Sequence, residues 1–327
     1  MKQSAAVYYL SAPPYEDFQK SNVHVKRTFA IGKFDGLHVA HQAILRRAVL
    51  KAANTGSVPC MFSFTPHPRY ALTHDPAYEK WLTPPKFQAQ LAGAFGISEM
   101  YAAVFDEAFR SQSAEEFVRD YLLPLGAQHL VVGDNFRFGK CGAYTTADLK
   151  QVASRYNLSV DMFSPIDDDG VLVSSSRIRS LLDAGDMVTV TRLLDRHYTL
   201  LGTVVKGDQR GRKIGFPTAN LSLNEPFVVP RQGVYVADCH VLDRTYRAVM
   251  NIGRRPTVYE QGQLAIEVHL LDFEGDLYGD TLRVELLYYI RAERKFETLD
   301  HLKQKLVEDS QVARNYRSAP NHTSALL

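Results

Sequence analysis

The sequence predicts an α/β domain built on a parallel sheet, followed by an antiparallel β domain, barrel or sandwich, that ends in a helix. Three observations carry this. Through the first half, short apolar runs alternate with segments of helical period. After about residue 186 the texture changes to short β-rich segments separated by glycine turns. The length, 327 residues, exceeds what one core normally holds. Two domains are therefore expected, residues 1–185 and 186–327.

In chain order, Ala5-Ala6-Val7-Tyr8-Tyr9-Leu10 reads as a first strand, its apolar run being too short for a signal peptide. Phe29 to Ile31 is a strand that ends in a glycine loop. Gln42 to Ala53 carries Ile44, Leu45, Ala48 and Val49 at helical spacing. Val58 to Phe64 is a strand closed by Thr65-Pro66-His67-Pro68, Phe87 to Ala94 a helix, and Met100 to Phe105 a strand. Ala114 to Leu123 is a helix, with Ser113 as N-cap and Glu116 completing a capping box. His129 to Val132 is a strand before Gly133. The loops at Gly32, Pro66 and Gly133 all follow strands, and ligands of such sheets sit at the carboxyl ends, so the three are expected to share one crevice. Met187 to Leu194 is a short helix near the boundary. The later strands are Tyr198 to Val205, Gly233 to Val241, Tyr246 to Ile252, Leu264 to Phe273 and Thr281 to Ile290. Leu299 to Asp309 is the closing helix, and the polar tail from Ser318 is read as loose.

Hydrophobic residues make up 45% and charged residues 23%, which is ordinary soluble globular composition. A formal net charge of +2 is too small to argue for nucleic acid or a membrane surface as partner. No apolar stretch approaches a membrane span. Cys60, Cys141 and Cys239 are scattered and odd in number, and read as free thiols in a reducing cytoplasm. A weak homo-oligomer is left open.

The run Gly32-Lys33-Phe34-Asp35-Gly36-Leu37-His38-Val39-Ala40-His41 lays out a strand end, a glycine loop and a helix start. Backbone N–H groups and the positive end of the helix dipole point at an anion in such a layout. His38 and His41 share one helix face and can donate to phosphate oxygens as they gain charge. The same spacing also serves a solvated face. Zinc would need a third ligand, which no recognisable spacing supplies. Gly133-Asp134-Asn135-Phe136-Arg137-Phe138-Gly139 offers Phe136 and Phe138 for stacking on a planar ligand, or as anchors in the core. In Ser174-Ser175-Ser176-Arg177-Ile178-Arg179, hydroxyls cap a helix, but two arginines in its first turn oppose the dipole. An anion at that helix start resolves the conflict.

Gly207-Asp208-Gln209-Arg210-Gly211-Arg212-Lys213-Ile214-Gly215-Phe216-Pro217-Thr218-Ala219-Asn220 lacks the G-K-[ST] ending of a P-loop. Its flexible backbone and cations suit a polyphosphate, and Thr218 and Asn220 are hard oxygen ligands suited to magnesium. The plainer alternative is a basic surface hairpin. Glu267 interrupts Ala265-Ile266-Glu267-Val268-His269-Leu270. Facing inward near a phosphate site it is a candidate base for a hydroxyl nucleophile. Facing outward it is the polar half of a strand alternation, which sequence alone favours.

With both halves laid out, the chain resembles the bacterial bifunctional riboflavin kinase/FMN adenylyltransferase family, also called FAD synthetase, over nearly its whole length. The pattern G-x-F-D-G-x-H-x-G-H matches Gly32 to His41, and F-x-P-H-P matches Phe64 to Pro68. The loop from Gly133 to Gly139 and the S-S-T-x-x-R element at Ser174 to Arg179 also match. In the second half G-x-x-R-G-R-x-x-G-F-P-T-A-N matches from Gly207 to Asn220. So do Gly233-Val234-Tyr235, Asn251-Ile252-Gly253 with Pro256-Thr257, Glu267-Val268-His269, Asp276-Leu277-Tyr278-Gly279, and Arg291 with Lys295-Phe296.

The resemblance implies a Rossmann-like, nucleotidyltransferase-type sheet followed by a riboflavin kinase barrel. It implies ATP, riboflavin and FMN as substrates, with Mg2+. The kinase would move the ATP γ-phosphoryl to a ribityl hydroxyl of riboflavin, with Glu267 as base and Thr218 and Asn220 holding Mg-ATP. The first domain would join AMP to the FMN phosphate, with His38, His41 and Arg179 acting on the phosphates. ATP or its phosphates would be held by Gly32, Phe34, Asp35, Gly36, Ser174, Ser175, Arg177, Gly207, Arg210, Gly211, Lys213, Gly215, Pro217 and Asn251. Phe64, His67, Asn135, Phe136 and Arg291 would lie against flavin. The chain departs from the pattern at Ala40, where the family has glycine, and mildly at Ser176, where it has threonine. A kinase that has lost adenylyl transfer and a flavin-binding regulator are the alternatives. The intact Thr218, Asn220 and Glu267 set favours an enzyme.

Overall fold

The computed structural model describes residues 4–11, 25–207, 211, 214–255 and 263–317. Arg210, Lys213 and the tail from Ser318 lie outside the described residues. By its internal contacts the chain divides into two units, up to Ser175 and from Ser176 onward. The division falls ahead of the boundary that the change of texture suggests at 185. The helix Ser175–Ala184 is tied to the second unit's backbone, since Arg231 donates from N to Leu182 O at 3.0 Å and from Nη1 to Ala184 O at 3.2 Å.

The first unit carries the parallel sheet that the alternation predicts. Its strands are β1 (Ala6–Leu10), β2 (Arg27–Ile31), β3 (Val58–Thr65), β4 (Glu99–Val104), β5 (Ala127–Gly133) and β6 (Ser159–Phe163). Their spatial order is β1-β4-β3-β2-β5-β6, every pair parallel. β2 is buried at every residue, as a central parallel strand covered on both faces must be. From β2 the chain moves outward one way through β3 and β4, then returns to place β5 on the other side. The switch point therefore lies between β2 and β5, where open sheets of this kind form their crevice. The loops after Ile31, Thr65 and Gly133 leave three adjacent strands at this same edge, as expected.

The helix α1 (Val39–Thr55) buries Ile44, Leu45, Ala48 and Ala52 and stops at Gly56, whose φ of 63° is the left-handed cap that glycine adopts without strain. The capping box at Ser113 and Glu116 forms, with Glu116 N donating to Ser113 Oγ at 3.2 Å and Ser113 N to Glu116 Oε2 at 2.8 Å. The helix beyond it differs from expectation. After Ala114–Glu116 it widens into a π turn over Phe117–Leu122, with Leu123 N donating to Val118 O. The wider turn lets Phe117, Val118, Tyr121 and Leu122 all bury against the sheet. Among the described residues no helix is long and apolar enough to cross a membrane.

The second unit is a closed antiparallel barrel, which settles barrel over sandwich. Its strands are Tyr198–Val205, Ala219–Leu223, Gly233–Val241, Arg244–Arg255, Gln263–Leu270 and Thr281–Arg291. The strand Ala219–Leu223 was not legible beforehand, because its first residues end the glycine-rich motif. It closes the barrel by pairing with both Gly202–Val205 and Val268–Glu267. Inside the barrel stand Tyr235, Ala237, Met250, Ile252 and Val268, all with no exposed surface. The closing helix, Leu299–Asn315, runs past the expected end at Asp309. Its Ala313 packs on Val234, Val236, Val249 and Leu287, the outward-facing residues of three neighbouring strands.

Candidate active sites

The glycine loop is held from behind by buried amides and a hydroxyl. Gln88 Nε2 donates to Phe34 O at 2.9 Å and to Lys33 O at 3.3 Å. Ser63 Oγ donates to Lys33 O at 3.1 Å, and Gln42 Nε2 to Leu37 O at 3.0 Å. These bonds pin a strained backbone, with φ of 51° at Phe34 and 44° at Leu37, both side chains fully buried. Gly36 takes the same region, φ 91°, at no steric cost. Asp35 is wholly buried and serves the loop itself. Its Oδ1 accepts from Leu82 N at 2.8 Å and Thr83 N at 3.2 Å, and its Oδ2 lies 3.9 Å from His67 Nε2. Gln42, Ser63 and Gln88 are the residues that motif reading missed. The only signal for them was an amide or hydroxyl inside an otherwise apolar helix face or strand.

His38 is the N-cap of α1 and its side chain makes no capping bond. Its ring stacks on that of His41, centroids 3.7 Å apart and planes 17° from parallel. Burial, then the neighbouring His38 and Lys33, holds His41 well below the usual histidine range. His41 Nδ1 has no hydrogen-bond partner among the described residues. Ala40, the second residue of the helix, is partly exposed. The first N–H groups of a helix have no acceptor within it, so the pair stands beside open donors.

Around the other two loops the expected residues divide. His67 caps the short helix Pro68–Thr73, with Nδ1 accepting from Arg69 N at 3.2 Å, and its ring meets Tyr78 and Trp81. Phe64 is committed to the core, edge-on to Phe62 and Phe105 and tilted against Phe109. Asn135 is exposed, and the partly exposed Phe136 stacks on the buried Phe138 with centroids 5.5 Å apart. Phe138 is thus an anchor in the core, and Phe136 lies at its rim. Thr146 Oγ1 fixes the loop through Gly133 O and Asp134 O at 3.1 and 3.0 Å.

Ser174 precedes the helix Ser175–Ala184, whose first turn has no acidic residue. Within the first unit, Ser175 Oγ donates to Asp35 O at 2.8 Å. Arg177 is partly exposed and Arg179 buried.

On the barrel, strand register assembles a polar row. Glu267 stands opposite Asn220 on one side and opposite Asn251 on the other. Directly opposed residues share a face, with Cβ atoms about 5 Å apart. The flanking Ile266, Val268, Met250, Ile252 and Leu221 are buried inside the barrel, so the row faces outward. The base candidate is therefore on the outer surface, the face that the alternation favours, and it is accompanied there rather than alone. Gly207 leaves room for Asn220: a Cβ at 207 would lie 2.2 Å from Nδ2 and 2.7 Å from Oδ1. Gly211 is approached as closely, with Phe216 O 2.2 Å from the place of a Cβ and Thr218 Oγ1 3.5 Å from it. Gly215 turns the loop at φ 87°. His269, two residues past Glu267 on the same face, bonds Pro217 O through Nδ1 at 2.7 Å and so holds the loop down. A cavity beside Thr218 is lined by Pro217, Val268, Leu270, Phe273 and Tyr278.

Arg291 is engaged by the closing helix, Nη2 2.7 Å and Nε 3.1 Å from Asp309 Oδ2. Two residues on, Glu293 Oε1 accepts from Asn251 Nδ2 at 2.9 Å. Sequence reading passed over Glu293, although it sits between Arg291 and Lys295 of a matched motif.

Two family models match the chain, FAD synthetase over residues 20–177 and riboflavin kinase over residues 194–317. Among curated relatives, the bifunctional riboflavin kinase/FMN adenylyltransferase of Bacillus subtilis is 35% identical over 90% of this chain and 93% of its own. That of Pseudomonas fluorescens is 38% identical over 89% of this chain and 93% of its own. A crystal structure from Streptococcus pneumoniae, titled a macrolide-efflux protein, superposes with a TM-score of 0.86 at 30% identity, covering 95% of this chain and 99% of that one. With the glycine loop in one unit, the Asn220–Glu267–Asn251 row in the other, and relatives matching across both, the chain belongs to the bifunctional riboflavin kinase/FMN adenylyltransferase family.

Proposed function

We propose that the barrel unit phosphorylates riboflavin and that the parallel-sheet unit adenylylates the FMN so formed. The observation that carries the kinase reading is the register that sets Glu267 between Asn220 and Asn251 on one face. Glu267 takes the proton of a ribityl hydroxyl as its oxygen attacks the γ-phosphorus of ATP and ADP leaves. Thr218 Oγ1 and Asn220 Oδ1 are neutral hard-oxygen donors, and Gly207 leaves room for Asn220. They fit a Mg2+ held mostly by nucleotide phosphates and water, which would neutralise charge on the transferring group.

In the first unit an FMN phosphate oxygen attacks the α-phosphorus of a second ATP and pyrophosphate leaves. The N-terminus of α1 and the His38–His41 pair bind the phosphates there. Phe136 offers a ring face for the isoalloxazine. The free Cys60, Cys141 and Cys239 fit a reducing cytoplasm.

The test is incubation of the purified chain with riboflavin, ATP and Mg2+, followed by separation of the flavins. FMN and FAD are the expected products. FMN alone would restrict the proposal to the kinase, and no product would overturn it.

A further inference from the structure

We infer that Glu293 is a positioning residue for riboflavin: it turns Asn251 so that the amide presents its carbonyl oxygen to the ribityl hydroxyls. The inference rests on the kinase reading above and deepens it.

Two observations meet at Glu293. Asn251 Nδ2 donates to its Oε1 at 2.9 Å. The hollow that the carboxylate enters is made by Gly253, where a Cβ would lie 2.0 Å from Oε1, 2.5 Å from Cδ and 2.7 Å from Oε2. Gly253 is two residues from Asn251 and so lies on the same strand face. The carboxylate thus reaches back from beyond the last strand and lies over the face that carries Asn251.

A side-chain amide has a donor end and an acceptor end. Committing the NH2 group to a carboxylate, a charge-assisted bond, sends the carbonyl oxygen the other way. Asn251 also stands opposite Glu267. An amide bordered by two carboxylates is a poor place for a phosphate oxygen, because like charges repel. It is a good place for a hydroxyl, which donates. A ribityl chain offers hydroxyls in a row, so one reaches Glu267 while its neighbour donates to Asn251 Oδ1. Asn251 therefore belongs with the flavin and not with the ATP phosphates where the family motif puts it.

The test uses the full chain, with riboflavin binding read from quenching of its own fluorescence and FMN formation from steady-state rates. Glu293→Ala is expected to weaken riboflavin binding and raise its KM about tenfold, with the KM for ATP and the adenylylation of added FMN unchanged. Glu293→Gln keeps an acceptor oxygen at the same reach and is expected within about threefold of the parent. Gly253→Ala evicts the flexible carboxylate without altering it. It should match Glu293→Ala and add nothing in the double variant. Unchanged riboflavin binding in Glu293→Ala, a shift in the KM for ATP instead, or multiplying losses in the double variant each overturns the inference. A parent chain that binds riboflavin without phosphorylating it refutes the kinase reading, and the binding comparison still decides Glu293.

Discussion

The rings of His38 and His41 lie 3.7 Å apart and nearly parallel at the start of α1, and burial holds His41 well below the usual histidine range. The fold therefore binds fewer protons at His41 than the unfolded chain does. Where the unfolded state binds more protons, stability rises with pH. The folded value is lowered, so the neutral ring is accommodated without penalty above about pH 6.5, the ordinary histidine value, and stability is lost as pH falls below it.

The first unit should consequently unfold more easily on acidification from pH 7.5 to 5.5, with a slope of at most about 1.4 kcal/mol per pH unit from this one group. His129 acts in the same direction, its range also lowered by burial first. Thermal melts of the parent and of His41→Gln check it. The variant should show a shallower pH dependence, and equal slopes would show that His41 is not the group responsible.

His38→Ala should slow the conversion of FMN to FAD by about a hundredfold, the typical loss for one preorganised donor to developing charge. FMN formation from riboflavin should stay as it was. Assay of both reactions on one preparation separates this from a general folding defect.

Glu267→Gln keeps the shape of the side chain and removes the base. FMN formation should fall by about two to four orders of magnitude while riboflavin still binds. Near-parental turnover would make Glu267 only the polar half of its strand.

Replacing Thr218 or Asn220 by Ala should weaken use of Mg-ATP in the kinase step, since a hard cation loses an oxygen ligand. The expected signature is a raised Mg2+ requirement for FMN formation and an unaltered requirement for FAD formation from added FMN. Equal loss of both activities would contradict the division of labour between the units.

Asp309 is 1% exposed and takes the Arg291 guanidinium at 2.7 Å. Asp309→Ala strips a partly buried cation of its partner and loosens the closing helix. A loss of about 2 kcal/mol is expected, below that of a fully buried pair because Arg291 keeps some contact with water. Urea unfolding of the second unit, followed by circular dichroism, measures it.

The sequence by itself determined whatever depends on near neighbours along the chain. The strand, glycine loop and helix from Phe29 to His41, the capping box of Ser113 and Glu116, and the strands Tyr198–Val205 and Gly233–Val241 were all legible. Period, cap and turn are local energies, set within a few residues. The ordered motifs also made the family and both reactions legible. Tertiary structure decided what distant residues do together. Phe64 and Asp35 stand in matched motifs, yet one is spent on the core and the other on backbone donors at Leu82 and Thr83. The strand Ala219–Leu223 exists because the barrel has two edges for it to join, although its own residues read as loop. Glu267 faces outward as its alternation suggests, but only pairing register places Asn220 and Asn251 beside it. Asn251 meets Glu293 across 42 residues. Register and chain return are fixed by burial summed over a whole barrel, and no local pattern carries that sum.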